Sequence, residues 1–414
     1  MQTDVPINQG RLWHHLERLC RDIGPRLSGT AADERTVRYL ADHFRRCGAR
    51  VEVQDFPCPS WEHDSTTLSL LGAGDPQPLP AVAQTFSLPC DVEAPLAAVG
   101  TWQELDLAPD LEQRALLLYG AAASGLALDR NPTLLSIEER RAAAVIVVSP
   151  AETLETVATK LIRDPFLAVP AVAVPYSTGV RLRQHPGGRI RLRTDARRYR
   201  STGHNVIGHL PGRAPGRVAV AAHYDTAAGV PGATDNASGT AAVLELCEVF
   251  AAAGTPALGI DFVAFGADEY GRHRGGNLGA AEYVRRHPQA VGETRAVVEA
   301  DGVGTAPRRP RVRLIGWPAG GRERLKRVLS RFPAYEVNDQ SDDPTARPTA
   351  FNLPGVPALA FVDDYRFLPI HTVQDTIDLM SSDGLAFAAE VMAASIAHLV
   401  SEPPPTAGEG AGTP

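Results

Sequence analysis

The spacing of hydrophobic residues differs between the beginning, the middle and the end of this 414-residue chain. Near the beginning, apolar residues recur every three or four positions over residues 12–23 and 37–44, which predicts two amphipathic helices. Gly48 stands where the second helix should end. Apolar and polar residues then alternate over residues 51–53, so we expect a half-buried strand to follow the helices.

The middle of the chain, residues 76–199, has a different pattern, and we name it the inserted segment. Short apolar runs separated by turn residues, as at 115–120, 142–150 and 166–175, predict a β-rich inserted domain. The inserted segment contains few histidines or clustered acids. We therefore do not expect it to hold the chemistry.

From residue 217 onwards, a strand, a polar cluster and a helix alternate, which is the pattern of a doubly wound α/β sheet. Four apolar runs are each followed by polar residues, and these runs are 218–222, 260–265, 296–300 and 358–362. In an open α/β sheet, the carboxyl ends of such strands converge on one crevice where ligands bind. We predict an α/β fold with a doubly wound mixed sheet flanked by helices, and with the polar clusters brought together.

These changes in pattern divide the chain into three parts. Residues 1–75 and 200–400 form a discontinuous main domain, and the inserted segment separates its two pieces. The tail, residues 401–414, has no apolar periodicity and is expected to be disordered.

Composition and charge exclude several classes of function. The formal charge is -7, and a chain without net positive charge is not suited to neutralise a polyanion. Neither nucleic acid nor a membrane is therefore expected as a partner. Arginines over residues 189–193 alternate with apolar residues, which is typical of a strand with one solvated face. No basic start leads into an apolar run, so we expect a cytoplasmic location, or secretion if a signal was trimmed.

The cysteines do not point to a bound metal or to a disulfide framework. There are five of them, without CxxC spacing, so we expect them to be reduced. The sequence leaves the oligomeric state open.

The candidate chemistry is carried by two histidines and three carboxylates that follow predicted strands or lie in loops: His223, Asp235, Glu269, Asp301 and His371. Each has an ordinary explanation when taken alone, such as a structural histidine or a helix N-cap. Adjacent acids such as Asp268 and Glu269 repel each other, however, and in a crevice they would be costly without a cation.

Taken together, these five side chains suit two zinc ions bridged by one acid. We expect His223 and Asp301 on one ion, Glu269 and His371 on the other, and Asp235 between them. Asp225, two residues after His223, is the expected orienting partner of that imidazole.

Six motifs, in this order along nearly the whole chain, resemble those of the co-catalytic dizinc peptidase family, which includes secreted bacterial leucine aminopeptidases and related glutamate carboxypeptidases. They are IGPRLSGT (23–30), HYDT (223–226), GATDNASG (232–239), ADEYG (267–271), EADGVG (299–304) and HTVQDT (371–376). The inserted segment also resembles the protease-associated domain that some members carry.

The resemblance implies a zinc metallopeptidase that removes N-terminal residues from peptides with a metal-bound hydroxide. It implies that Asp268 is the general base, that Asp225 orients the first histidine, and that Asp235 bridges the ions before a cis peptide bond. Two positions depart from the family: Asp268 stands where a glutamate is usual, and Asp343 replaces a histidine. The shorter side chain of Asp268 places its role as a base in question.

Three alternatives remain open. The chain could be a metal-binding protein that no longer catalyses, a carboxypeptidase, or a relative of the single-zinc glutaminyl cyclases. Retention of both His223 and Asp301 disfavours the cyclase. Tyr365 could donate to an oxyanion, although an ordinary packed tyrosine is the favoured interpretation. The side-chain preference is not determined by the sequence.

Overall fold

A computed structural model describes most of the chain. The described residues are 6–108, 111–124, 132–149, 157–162, 166–270, 272–273, 276–306, 310–348, 351–353, 355–364 and 368–401. Tyr365 and the tail after residue 401 lie outside them, so the expectations about both stay predictions.

Two long strands and several shorter ones build the sheets. In chain order the strands are β1 (Arg50–Leu71), β2 (Gln77–Leu79), β3 (Val82–Ala83), β4 (Cys90–Val99), β5 (Ala115–Leu118), β6 (Ala144–Val148), β7 (Ala171–Val174), β8 (Arg189–Leu210), β9 (Arg217–His223), β10 (Gly259–Phe265), β11 (Arg272–His273), β12 (Gly276–Asn277), β13 (Thr294–Ala300), β14 (Arg311–Ile315), β15 (Glu336–Gln340) and β16 (Ala358–Phe361).

Helices connect most of these strands. They are α1 (Gln9–Glu17), α2 (Ala31–Arg46), α3 (Trp102–Leu107), α4 (Gly120–Ser124), α5 (Pro132–Glu139), α6 (Tyr176–Arg183), α7 (Ser238–Ala252), α8 (Leu278–Arg286), α9 (Pro288–Glu293), α10 (Ala319–Leu329) and α11 (Ser382–Ser401). Both predicted N-terminal helices are present, and the side chain of Thr30 caps α2 by accepting from the backbone N–H of Asp33.

The main domain is built on a mixed sheet in the order β15-β14-β16-β13-β9-β10-β8. Strands β16, β13, β9 and β10 are parallel, whereas β14 and β8 run antiparallel to their neighbours β16 and β10. Helices α1, α2, α7 and α11 contribute to an apolar core on one face, and Ala280 and Tyr283 of α8 pack on the other. The prediction of a mixed α/β sheet flanked by helices is therefore confirmed.

The inserted segment has its own parallel strands. β4, β5, β6 and β7 pair in that order and in parallel, with helices α3 to α6 between or after them. Two apolar clusters of its own lie on the two sides of these strands. The segment is thus richer in helix than the expected β-rich domain, and its identity as a protease-associated domain stays a prediction.

A long ribbon joins the two parts. β1 and β8 pair antiparallel from Arg50↔His209 to Leu71↔Arg189, so both strands run from the main sheet into the inserted segment. The expected boundary at 199/200 falls inside β8. Arg189, Arg191 and Arg193 are exposed and alternate with buried Ile190 and Leu192, as the alternation predicts.

One helix of the main domain passes a length and hydropathy test for a membrane span, although the sequence analysis expects no membrane as a partner. α11 has 20 residues and a mean hydropathy of 1.5 in its most apolar window, of which 61% is buried inside the protein. Leu385, Met392 and Ile396 lie in the core that covers the sheet. This burial is what a core helix of a globular domain requires.

Candidate metal centre

The predicted polar residues follow strands that end at the same edge of the main sheet. His223 is the last residue of β9, Asp268 and Glu269 follow β10, and Asp301 follows β13 directly. His371 lies in the loop after β16. Because β16, β13, β9 and β10 are parallel, their carboxyl ends bring residues up to 148 positions apart into one crevice (371 − 223).

The five candidate side chains form two groups that share Asp235. In the first, His223 Nε2 lies 3.0 Å from Asp235 Oδ1 and 3.6 Å from Asp301 Oδ1. In the second, His371 Nε2 lies 2.8 Å from Asp235 Oδ2 and 3.4 Å from Glu269 Oε1. In each group, the potential ligand atoms all lie within 4.8 Å of one another. Asp235 thus turns one oxygen towards each histidine.

The loop before α7 is fixed so that Asp235 reaches both groups. The carboxylate of Asp375 accepts hydrogen bonds from the backbone N–H of Thr234 at 2.8 Å and of Asp235 at 3.1 Å. The Asp235–Asn236 peptide bond is cis, as the resemblance implies. The Asn236 side chain donates to the backbone oxygen of Ala300, which ties this loop to the end of β13 beside Asp301.

Gly239, in the first turn of α7, allows this close approach. A Cβ atom at this position would lie 2.4 Å from the backbone oxygen of Ala300. Only glycine lets the start of the helix approach the end of β13 so closely without displacing backbone.

Asp225 supports both sides of the site. Its Oδ1 lies 3.5 Å from His223 Nδ1, which has no hydrogen-bond partner in the described part of the chain, so the orienting role stays a prediction. The same carboxylate also accepts hydrogen bonds from the backbone N–H groups of Asp268 at 3.1 Å and of Glu269 at 3.2 Å. Asp225 therefore connects the end of β9 to the adjacent acids after β10, which the sequence did not reveal.

Arg26, from the IGPRLSGT motif, is fully buried beneath the site. Its guanidinium donates to the backbone oxygens of Tyr224 at 2.5 Å, Pro231 at 2.7 Å and Gly232 at 3.0 Å. These bonds link the segment after His223 to the loop that carries Asp235. The motif thus contributes through hydrogen bonding to backbone beneath the crevice.

Asp268 is buried, with 8% of its surface exposed, and Asn277 donates a hydrogen bond from its side-chain amide to Oδ1 of Asp268. Burial raises the pKa of Asp268 to about 6 in the metal-free protein, and nearby Asp225 acts in the same direction. Burial likewise raises the pKa of Asp375 to about 6. Carboxylates crowded in a low-dielectric crevice resist ionisation unless a cation is present.

The donor set fits metal ions. Neutral imidazole and carboxylate oxygens are ordinary zinc ligands, and three carboxylates without a cation would repel one another. Within the described part of the chain, Glu269 Oε1 is buried and has no hydrogen-bond partner. A buried carboxylate oxygen that faces His371 without a hydrogen bond is suited to bind a cation.

The inserted segment contacts the candidate site, a contact that its few histidines and acids did not indicate. Lys160, with 4% of its surface exposed, forms an ion pair with Oε2 of Glu269. The backbone N–H of Thr159 donates to the backbone oxygen of His371 at 2.8 Å. Sequence reasoning missed Lys160 because it looked for histidines and acids. One signal was present, since the chain has only two lysines, Lys160 and Lys326, beside 39 arginines.

A further group of potential ligands lies between α2 and α7. His43, Cys47 and Glu248 have potential ligand atoms within 4.8 Å of one another. However, His43 Nε2 donates to the backbone oxygen of Leu244 at 3.0 Å, which uses the nitrogen that faces Cys47. The five cysteines are unpaired thiols, as expected.

Asp343, the second departure from the family pattern, is exposed. Its carboxylate accepts from the backbone N–H of Thr345 at 2.8 Å and from the Thr345 hydroxyl at 2.6 Å. It therefore forms a local turn after β15.

Comparison with known proteins finds similar aminopeptidases. An aminopeptidase of Bacillus subtilis, YwaD, is 28% identical over 289 residues, which is 68% of this chain and 59% of that relative. The chain thus spans less than two thirds of the relative's own length.

Solved structures share the fold. BSAP, a zinc aminopeptidase from Bacillus subtilis, aligns over 96% of this chain and 97% of its own, with a TM-score of 0.76 and 23% identity. A peptidase M28 precursor from Shewanella amazonensis aligns over 95% of this chain and 93% of its own, with a TM-score of 0.82 and 22% identity. Such coverage extends over the inserted segment.

The family model described as peptidase family M28 matches residues 205–396. This region contains both histidines and all the carboxylates that meet in the crevice. Residues 205–396 of the chain are therefore similar to peptidase family M28.

Proposed function

We propose that the protein is a zinc-dependent exopeptidase, an aminopeptidase that binds two Zn²⁺ ions and releases N-terminal residues from peptides. The proposal is carried by one observation: the two oxygens of Asp235 lie 3.0 Å and 2.8 Å from two different histidines. A carboxylate that faces two imidazoles in this way is suited to bridge two cations. The family match and the likeness in fold to zinc aminopeptidases support the same proposal.

His223 and Asp301 would hold one ion, Glu269 and His371 the other, and Asp235 would bridge them. Zinc bound there supplies Lewis acidity that polarises a scissile carbonyl and makes bound water more acidic. Asp225 orients the imidazole of His223 and holds the backbone of the adjacent acids.

Asp268 would take the proton from the attacking water and pass it to the leaving amine. A general base must lie within hydrogen-bonding reach of the proton, and an aspartate reaches about 1.5 Å less far than a glutamate. The backbone of Asp268 is held by Asp225, and its Oδ1 is held by Asn277. A fixed carboxylate at the site edge is what proton transfer requires.

A cavity of about 510 Å³ beside the crevice would receive an apolar substrate side chain. Leu27, Trp61, Val82 and Val373 are among the residues that line it, together with Thr159 of the inserted segment. The backbone N–H of Thr159 also donates to the backbone oxygen of His371, which supports a location of the cavity beside the proposed second ion. The substrate would therefore be a peptide with an apolar terminal residue.

The test combines metal analysis with two classes of substrate in the wild-type protein and Asp235→Asn. The wild type should bind two zinc ions per chain and cleave amino-acid anilides, which carry a free amine, with loss of activity on chelation. Asp235→Asn should lose at least one ion and nearly all activity, because a neutral amide cannot bridge two cations.

Asp343→Asn is the matched control, because it makes the same change in an exposed turn. It should keep both ions and full activity. Cleavage of amino-blocked dipeptides in preference to anilides would instead favour a carboxypeptidase. A wild-type protein that binds no zinc would refute the proposal.

The second candidate is a metal-binding protein without catalysis. It is favoured by the short side chain of Asp268, one oxygen of which is already occupied by Asn277. In that case, the wild type would have almost no peptidase activity. Asp268→Glu would gain activity, because the longer side chain would bring the carboxylate within reach of the attacking water. If Asp268 is a working base, Asp268→Asn should lower an active wild type by about 100-fold or more.

A further inference from the structure

Lys160 enters the candidate metal centre from the inserted segment. Its ammonium forms an ion pair with Oε2 of Glu269, and both side chains are almost completely buried. A lysine buried beside a carboxylate depends on that partner, because taking an ammonium out of water is costly unless it is well paired.

The backbone on both sides of Lys160 is held by hydrogen bonds. The side chain of Gln84 donates to the backbone oxygen of Ala158 at 2.9 Å and accepts from the backbone N–H of Leu161 at 2.6 Å. The backbone N–H of Thr85 donates to the backbone oxygen of Thr159 at 2.7 Å. The lysine is thus presented by a fixed segment, which is tied to His371 as well.

The two oxygens of Glu269 have different surroundings. Oε1 lies 3.4 Å from His371 Nε2 and has no hydrogen-bond partner in the part of the chain that the structure describes. Oε2 faces Lys160. An ammonium on Oε2 and a cation on Oε1 can therefore be present together.

The type of basic side chain beside Glu269 decides how many of its oxygens are occupied. A lysine presents a compact point charge that can bind one oxygen, whereas an arginine presents a planar fork that binds both oxygens of a carboxylate. The chain has 39 arginines and only two lysines, and one of these is Lys160. An arginine at this position would compete for Oε1.

We propose that Lys160 is a positioning residue: it holds Oε2 of Glu269 so that Oε1 is presented to the second metal ion. The inserted segment is then a component of the metal centre, and not only a neighbour of the substrate cavity. This inference rests on the metal centre of the proposed function, but it does not depend on the reaction or on the substrate.

The first test measures zinc binding to the metal-free protein by calorimetry in wild type, Lys160→Met, Lys160→Arg and Lys326→Met. Loss of a group that orients a metal ligand typically weakens affinity 10- to 100-fold, so Lys160→Met should weaken one of the two sites by about that factor. Lys160→Arg should weaken the same site, because its fork covers Oε1. Lys326 is half exposed on α10, and Lys326→Met should bind zinc as the wild type does.

The second test uses the wild-type protein, so it does not depend on whether a variant folds. The metal-free and zinc-loaded proteins are acetylated with an amine-reactive ester, and the two lysines are followed by mass spectrometry. Lys160 should stay at least about tenfold less labelled than Lys326 in both states, because its contact with Oε2 persists when zinc is bound.

Three outcomes would overturn the inference. Equal or tighter zinc binding in a folded Lys160→Met would show that Lys160 does not support the site. Labelling of Lys160 that rises to the level of Lys326 on zinc loading would show that zinc expels it. A wild type that binds no zinc would remove the proposed metal centre and this inference together, whereas the first two outcomes leave the proposed function intact.

Discussion

The main domain and the inserted segment share an architectural element but differ in the residues at its carboxyl end. Both contain parallel strands whose residues are almost all buried, such as β9 and β10 in the main domain and β5 and β6 in the inserted segment. In the main domain, β9 ends in His223 and β10 leads into Asp268 and Glu269. In the inserted segment, β5 leads into Tyr119 and Gly120.

This difference indicates that the parallel strands supply the framework and that the residues at their carboxyl ends decide the chemistry. The inserted segment contributes in another way. It places residues 157–162, a segment outside its helices and strands, against Glu269 and His371. Substitutions in both parts of the molecule test this division.

Removal of a main-domain ligand should have the largest effect. Glu269→Ala removes Oε1 from the group that contains His371, and activity on amino-acid anilides should fall more than about a hundredfold. Kinetics and zinc content measure the loss. Glu62→Ala, an exposed acid on β1, serves as the control and should be unchanged. Full activity in Glu269→Ala would mean that the carboxyl ends of the strands do not carry the chemistry.

Loss of the buried guanidinium below the site should reduce stability strongly. Arg26→Met leaves the backbone oxygens of Tyr224, Pro231 and Gly232 without their donors, and the free energy of unfolding should fall by about 3 kcal/mol or more. Denaturant unfolding measures the change. Arg38→Met, exposed on α2, should shift the free energy by less than about 0.5 kcal/mol. A similar small shift for both variants would show that the main domain does not depend on this buried network.

In the inserted segment, the expected effect is local. Gln84→Ala removes the bonds to the backbone of Ala158, Leu161 and Ile162, and each unsatisfied group costs about 1–3 kcal/mol. Hydrogen exchange over residues 157–162 should become about tenfold faster or more, without global unfolding. Gln77→Ala, at an exposed position of β2, should leave this exchange unchanged. Unchanged exchange in Gln84→Ala would mean that other contacts hold the segment against His371.

The smallest effect concerns the pH dependence of stability and one buried carboxylate of the main domain, Asp33. Burial raises the pKa of Asp33 to about 7, although Tyr224 donates to its carboxylate at 2.6 Å. Since the folded state then binds a proton more tightly than the unfolded state, this group's contribution to stability is present at low pH and is lost as pH rises from about 4 to about 7.

Asp33→Asn should therefore flatten the decrease in unfolding free energy between pH 5 and pH 7 by roughly 1 kcal/mol per pH unit. Denaturant unfolding of the metal-free proteins at several pH values measures this slope. The exposed Asp42→Asn should keep the wild-type slope. An unaltered slope in Asp33→Asn would show that Asp33 is not protonated in the folded protein at pH 6.

The class of fold, the places of the main strands and the five candidate ligands could all be predicted from the amino-acid sequence. The apolar runs that end in His223 or lead into Asp268 and Asp301 can be recognised as strands. Since the carboxyl ends of parallel strands in an α/β sheet meet at one crevice, these residues are expected to lie together. The two-group arrangement around Asp235 follows from the residue types once this convergence is assumed. The metal stoichiometry and the roles of these residues stay predictions.

The contacts that support the crevice could be identified only in the folded molecule. Asp225 binds the backbone of Glu269, Asp375 binds the backbone of Asp235, and Lys160 crosses from the inserted segment to Glu269. No local sequence pattern predicts these contacts, because they join loops without periodicity. The paired residues are 44, 140 and 109 positions apart in the sequence. Strand and helix periods report only which face of an element is buried. Where a loop folds back is set by the packing of the whole chain.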